Sequence, residues 1–411
     1  MTDVAVAQRL ESIRSTTWWR LLWHTLPVYL LSRACVLAGA AIVAAELRVD
    51  ANLGTELELP VADPHGTTHV GSAIRPMIDV LTSWDGLWYM DIVRNGYPTS
   101  VPPDVTYFVS EARAAFFPLF PILGRAFDRV LPGGDSFAVL AMNTLFGLVA
   151  IVLFALIADR LYGERVARTT ATLSALFPGS FVLMFAYSEA LMLVLAAACL
   201  LLLIDQEWTA AGVFAALATA TRPNGLALVL ACVVAAFFAI RDRREWSALI
   251  AVLLAPIGFI TFQVWLGQHT GEAGVWFRVQ REAWDEGASF GWTAVSNSVE
   301  AVWQPMTSPT DTITFLSFLT TIALLVIAWK VKLPWVLMAY SWAIVALMLV
   351  PATVTARPRF LFTAFPLLIA AAKWFDERRD SDERLWPMTM AACGAGLAAL
   401  TGLYGVFGAI P

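Results

Sequence analysis

Apolar residues run along this chain in stretches of about 20, the length an α-helix needs to cross a bilayer. The first twenty residues are polar, with Arg9, Arg14 and Arg20, and an apolar stretch then extends from Trp23 to Leu47. An apolar core that starts so late and runs so long predicts a retained first span rather than a cleaved leader. Ten further apolar stretches are centred near Leu148, Phe177, Ala196, Phe214, Leu230, Ile257, Leu319, Trp342, Leu367 and Ala395. The pattern predicts an all-α polytopic integral membrane protein of about eleven transmembrane helices, one membrane-embedded unit over residues 1–411.

Two connecting segments, 48–132 and 269–311, are long enough to hold structure of their own. Within the first, Leu119, Ile122, Leu123, Ala126, Phe127 and Val130 recur at helical spacing, with Gly124, Arg125, Asp128 and Arg129 on the other face. That spacing predicts an amphipathic helix lying in the membrane interface. A second short helix is expected to begin near Trp84, with Trp84, Trp88 and Ile92 on one face. Together they would form a shelf above the spans.

Positive residues orient the bundle. Arg160, Arg165 and Arg168 fall in one short loop, and Arg241, Arg243 and Arg244 in another. Lys330 and Lys332, then Lys373, Arg378, Arg379 and Arg384, complete an alternation that places the N-terminus in the cytoplasm. Both long segments then lie outside.

Composition agrees with a membrane chain. Apolar residues make up 59% and charged residues only 14%, against about 25% charged in soluble proteins, which excludes a soluble enzyme and a disordered chain. A net charge of -5 supplies no basic field for nucleic acid. Cys35, Cys199, Cys232 and Cys393 each sit in an apolar run and read as small buried hydrophobes.

Charged groups at membrane depth are expensive and mark function by default. Four polar motifs fall on the outer side of the expected topology. They are Trp84-Asp85-Gly86-Leu87-Trp88-Tyr89, Tyr187-Ser188-Glu189, Thr221-Arg222-Pro223-Asn224-Gly225 and Arg357-Pro358-Arg359-Phe360. One carboxylate with several arginines suits transfer of a group from a phosphate-linked donor. Asp85 is the candidate general base, and Arg222, Arg357 and Arg359 the candidate phosphate clamp. Glu189, Asp91, Trp84, Tyr89, Tyr187 and Asn224 complete the candidate substrate-binding set. A glycosidase would call for a carboxylate pair.

Plainer readings stand beside these. Thr82-x-x-Asp85 fits a helix capping box, Asp91 and Arg94 are spaced to pair on one helix, and Glu189 suits a first helical turn. Arg222, Arg357 and Arg359 could snorkel to the interface. Arg33 in mid-span needs a partner that the sequence does not identify. His65 and His69 beside Asp63 have metal-ligand spacing but lie among Pro, Gly and Thr. Trp276, Trp284 and Trp292 suit either an interfacial belt or stacking on a sugar.

Taken in order, several motifs resemble the PIG-V family of mannosyltransferases. They are Ser83-Trp84-Asp85-Gly86-Leu87-Trp88-Tyr89, Asn95-Gly96-Tyr97, Ala115-Phe116-Phe117-Pro118-Leu119-Phe120-Pro121, Phe177-Pro178-Gly179-Ser180, Tyr187-Ser188-Glu189-Ala190-Leu191, Ala220-Thr221-Arg222-Pro223-Asn224-Gly225, and Arg357-Pro358-Arg359-Phe360 with Ala364-Phe365-Pro366. The resemblance implies a GT-C glycosyltransferase working on the extracytoplasmic face of the cell membrane. It implies inverting transfer of mannose from a polyprenyl-phosphate mannose, with Asp85 at the family's catalytic acidic position. The acceptor would be a hydroxyl of a glycolipid, polysaccharide or protein. Only three of the 27 basic residues are lysines, as a GC-rich bacterial source would produce, and bacteria lack GPI anchors. Gly86 and Leu87 follow Asp85, so no Asp-x-Asp pair is present to hold a divalent ion, and the expected enzyme needs no cofactor or metal. The reading from another class is a non-catalytic carrier or flippase for the same lipid-linked sugar. A coupled small-molecule transporter would need more ionisable groups at mid-membrane than Arg33.

Overall fold

The computed structural model describes residues 3–52, 74–304, 308–353, 355–379 and 382–409, with side chains from residue 17 onward apart from 47–52. Among these residues the secondary structure is helical, apart from one isolated antiparallel bridge between Ala288 and Pro351. The chain is a multi-pass membrane protein. Six helices have the length and hydropathy to cross a bilayer: Thr17–Glu46, Asp135–Tyr162, Pro223–Arg243, Trp246–Thr270, Pro309–Lys330 and Leu385–Gly405. Glu189–Ile204, Trp208–Thr219 and Trp335–Leu349 are apolar but shorter.

The other two of the eleven apolar stretches are broken, and proline is the reason. Near Phe177 the Glu164–Leu176 helix gives way to a 3-10 turn at Pro178–Leu183. Near Leu367 the chain forms two short helices, Pro358–Thr363 and Pro366–Arg378. Proline lacks an amide donor and suits the first turn of a helix rather than its interior. Hydropathy alone reads each of these as one continuous span.

Small residues let the helices approach closely. The Trp208–Thr219 helix buries Ala211, Gly212, Ala215 and Ala218 on one face, the kind of surface that replaces hydrophobic driving force where the solvent is itself apolar. Asp135–Tyr162 packs against Glu164–Leu176 and Glu189–Ile204, and the first helix packs against Leu385–Gly405. Arg33 finds its partner in this core. It donates to the Ser180 carbonyl at 2.9 Å and to Ser180 Oγ at 3.0 Å, with its guanidinium 5.0 Å from the Tyr29 ring centroid.

The segment after the first helix holds the short helices Ile74–Leu81, Asp85–Asn95, Val109–Ala112 and Leu119–Asp128. The last packs on the bundle through part of its surface. Phe120, Pro121 and Gly124 are buried while Ile122 is 58% exposed and Val130 lies at the surface. Gly124 presses on Val93 and Val139, so its missing side chain lets this helix settle on its neighbours. Arg125, exposed on the polar face as expected, donates to the carbonyls of Ile92 and Val93 at 2.7 and 2.6 Å. It thereby caps the last carbonyls of the Asp85–Asn95 helix. The 269–311 segment also contains helices, Val275–Trp284 and Trp292–Trp303.

Candidate active site

The four motifs, far apart in sequence, meet in space. Arg359 Nη1 lies 2.8 Å from Asp85 Oδ2 and 3.8 Å from Glu189 Oε1. Arg222 Nη1 lies 2.6 Å from Glu189 Oε2 and 3.8 Å from Asp85 Oδ2. Two carboxylates and two guanidiniums therefore alternate in one closed network, where the sequence pointed to a single carboxylate among several arginines. Exposure separates the two acids: the Asp85 side chain is 20% exposed, the Glu189 side chain 0%.

Local structure explains each placement. Trp84 has φ 54°, a region that a bulky residue enters only when its surroundings hold it there. Its indole Nε1 supplies that hold by donating to the Tyr404 carbonyl at 2.9 Å, and its ring packs on Phe407. The sharp turn starts the next helix at Asp85. Thr82 Oγ1 donates backward to the Ile78 carbonyl, and no side chain caps the Asp85 helix, so the capping-box reading fails. The carboxylate goes to Arg359 instead.

Glu189 opens its own helix, as a first-turn acid should, and the backbone before it is pinned. Asn143 Nδ2 donates to the Tyr187 carbonyl at 2.7 Å and also to that of Phe185, and the Ala186 amide donates to Leu81 O at 2.8 Å. Tyr89 OH and Ser188 Oγ are 2.6 Å apart, and Arg222 Nη1 donates to the same Ser188 oxygen at 3.2 Å. Ser188 thus joins the Asp85 helix to Arg222. Arg222 itself stands in extended backbone before the 3-10 turn Pro223–Leu226, which carries Asn224. Arg359 is set by Pro358–Thr363, which presses on the Pro178–Leu183 turn: a Cβ on Gly179 would run into the Pro358 carbonyl.

Buried ring hydroxyls and guanidiniums respond to this environment. Burial pushes both Tyr89 and Tyr187 well above the ordinary phenol range, so they act as neutral groups. Burial works against the Arg359 charge, but Asp85 and Glu189 outweigh it and its pKa stands above the ordinary value. The Arg359 guanidinium lies 5.4 Å from the Tyr187 ring and 4.6 Å from the Phe360 ring. The Nε atoms of Arg222 and Arg359 are buried without a hydrogen-bond partner.

Some candidate residues lie apart from this network. Arg357, two positions before Arg359 in the same motif, turns away: its Nη1 reaches the Thr310 carbonyl at 3.4 Å, and burial lowers its pKa. Asp91 pairs with Arg113 at 3.1 Å and accepts from Asn95 Nδ2, while Arg94 pairs with Asp135 at 2.6 Å rather than with Asp91. Trp276 donates to the Ala115 carbonyl and Trp284 packs on Trp88 and Phe116, so both are structural aromatics, whereas Trp292 is 72% exposed. Asp63, His65 and His69 lie outside the described residues. Sequence reasoning missed Asn143 and Ser188. A lone asparagine inside a long apolar stretch was the signal for the first.

Beside the network, an apolar cavity of about 790 Å³ is walled by Ile92 and Tyr97, by Pro118 and Ile122, and by Leu217, Ala220 and Phe262. Ile92 shares a helix with Asp85, and Ala220 lies two residues before Arg222.

A family model described as dolichyl-phosphate-mannose-protein mannosyltransferase matches residues 117–267. The matched stretch contains Glu189 and Arg222 and stops short of Asp85 and Arg359 on either side. No curated protein matches the chain. Among solved structures, ArnT from Cupriavidus metallidurans in the apo state has a TM-score of 0.48 at 16% identity, covering 77% of this chain and 62% of its own. The same protein bound to undecaprenyl phosphate gives 0.49 at 15%, covering 73% and 56%. The Archaeoglobus fulgidus oligosaccharyltransferase in complex with Zn and sulfate gives 0.49 at 16%, covering 89% and 53%. These are distant likenesses, and the chain spans little more than half the length of those proteins.

Proposed function

We propose that this protein is a membrane glycosyltransferase that moves a sugar from a polyprenyl-phosphate carrier to an acceptor hydroxyl. The observation that carries the reading is the half-open network. Asp85, the exposed acid, is tied through Oδ2 to a buried arginine, while Glu189, the buried acid, holds the second arginine. Support comes also from the match of residues 117–267 to the mannosyltransferase family model and from the PIG-V-like motifs. Mannose as the sugar rests on those two likenesses.

In this mechanism Asp85 Oδ1, which accepts no hydrogen bond among the described residues, takes the proton of the acceptor hydroxyl. The acceptor oxygen bonds to the anomeric carbon as the bond from that carbon to the phosphate oxygen breaks. The bonding pair leaves on the lipid phosphate, and a single displacement inverts the anomeric centre. Arg222 and Arg359 supply positive charge that stabilises the growing phosphate charge. A phosphate leaves without protonation, so a second acid is not needed. Glu189 and Ser188 are positioning residues for Arg222. Guanidiniums occupy the space between the two carboxylates that a bridging divalent ion would fill, which favours a metal-independent reaction. The isoprenoid chain of the donor would lie in the 790 Å³ cavity, whose walls are apolar. The site would face the extracytoplasmic side, on the positive-residue distribution.

The deciding experiment compares wild type with Asp85→Asn in lipid, using radiolabelled polyprenyl-phosphate mannose and a membrane glycolipid extract. Transfer by wild type that disappears in the variant, with donor binding retained, is the expected result. Equal transfer by both would remove Asp85 from the chemistry. Donor binding with no transfer by either would favour the carrier reading.

A further inference from the structure

The end of the bundle away from Asp85 carries a second cavity, of about 670 Å³, whose walls include Arg20, Arg165, Arg168 and Arg379. Helix lengths fix its separation from the first site. The Leu385–Gly405 helix has Trp386 in this cavity and Tyr404 bonded to Trp84 beside Asp85. Eighteen helical positions at ~1.5 Å each amount to about 27 Å. A hydrocarbon core is about 30 Å thick, so the two cavities belong to opposite faces of the membrane. The Glu189–Ile204 helix repeats the relation: Glu189 sits in the Asp85 network, and Asp205 just past the other end pairs with Arg160 at 2.6 Å.

Charge in this cavity is unbalanced. Glu164 is shared between Arg20 at 3.1 Å and Arg168 at 2.5 Å, and Arg165 pairs with Asp376 at 2.7 Å. Arg379 has no ion pair among the described residues. The wall of the cavity carries four arginines and one acid, Glu164. Arg20, Arg165 and Arg168 are each about half exposed, so the cluster is accessible. The Nε2 atom of His24 is buried there without a hydrogen-bond partner. Trp386 lines the cavity, and Trp19 and Trp23, exposed by 58% and 57%, stand on the helix that carries Arg20 and His24. Tryptophan at this density marks the headgroup level of a bilayer.

We propose that this cavity binds the phosphate of an anionic phospholipid headgroup in the leaflet opposite the Asp85 site. Arginine forks match phosphate oxygens, basic pockets between helices recognise anionic headgroups, and the neighbouring tryptophans favour a lipid over a free anion. The inference does not rest on the reaction proposed above.

The test is thermal unfolding of the full chain in detergent with added phosphatidylcholine, with phosphatidylcholine and phosphatidylglycerol in equal parts, or with inorganic phosphate at matched concentration. Phosphatidylglycerol is expected to raise Tm by about 3 °C beyond phosphatidylcholine. Arg379→Gln, an exposed helix-end change, should cut that rise by at least half. Arg20→Gln should do the same should the first variant fold poorly. Arg241→Gln removes the same charge outside the cavity and should keep the full rise. An undiminished rise in both cavity variants, an equal loss in Arg241→Gln, or no preference for phosphatidylglycerol would overturn the proposal. Inorganic phosphate reproducing the whole rise would overturn the lipid assignment.

Discussion

The two ends of this bundle use arginine in opposite ways. At the Asp85 end, Arg222 and Arg359 are 10% and 9% exposed and each faces two carboxylates. At the far end, arginines about half exposed line a cavity wall that carries one acid, Glu164. Burial accounts for the difference. A charge removed from water needs close partners, carboxylates at this site and carbonyls for Arg33 and Arg357, and leaving one partner of a buried ion pair unpaired costs about 3–5 kcal/mol. A charge at the surface is solvated and can remain in excess, since an exposed pair contributes only about 0–1 kcal/mol. The buried network is therefore rigid and specific, and the exposed cluster is a field of donors.

The largest expected effect breaks the network at its base. Asp85→Asn should lower the transfer rate by about 10²- to 10⁴-fold with donor affinity nearly unchanged, checked by single-turnover label transfer alongside donor binding. Next in size, Arg222→Gln should lower transfer less steeply and destabilise the fold by about 3–5 kcal/mol, because buried Glu189 loses its 2.6 Å partner. The double variant Glu189→Gln/Arg222→Gln should recover most of that stability and none of the activity. If the double variant is as unstable as the single one, the pairing does not account for the loss. Denaturant unfolding in micelles reads both.

Smaller effects sharpen the contrast. Gly179→Ala should weaken the contact between the Pro178–Leu183 turn and Pro358–Thr363 and displace Arg359, costing about 1–3 kcal/mol as overpacking does and lowering transfer more than donor binding. Arg94→Gln removes an ion pair at the same end of the bundle, but Arg94 is 50% exposed. It should cost about 0.2–1 kcal/mol and leave transfer intact, which would show that exposure, not location, sets the worth of a pair. Smallest of all, treatment with a chelator should leave the transfer rate unchanged. A loss that Mg²⁺ or Mn²⁺ restores would break the metal-independent reading.

Much of the candidate site was legible because charged groups beside apolar stretches are costly. Asp85, Glu189, Arg222 and Arg359 stand out as charged residues at the ends of apolar stretches, where few are tolerated. Their roles were less legible. Arg357 and Arg359 are one residue apart and alike in the sequence, yet one reaches the Thr310 carbonyl and the other Asp85. Asp91 and Arg94 have the spacing of a helical pair, but each meets a better-placed partner from another segment, Arg113 and Asp135. Helical spacing specifies which neighbours are possible, and packing chooses among them.

The amino-acid order by itself determined that this is a helical membrane protein, because runs of about 20 apolar residues have no other stable arrangement in a bilayer. It also determined the order of the polar motifs along the chain. Only the tertiary structure decided that two carboxylates, not one, share two arginines, that Asp85 is the one left open, and that Asn143 and Ser188 hold the frame. The physical reason is distance. Asp85 and Arg359 are 274 positions apart, and no local periodicity carries information across such a separation, whereas a buried charge needs partners from whichever segments pack against it.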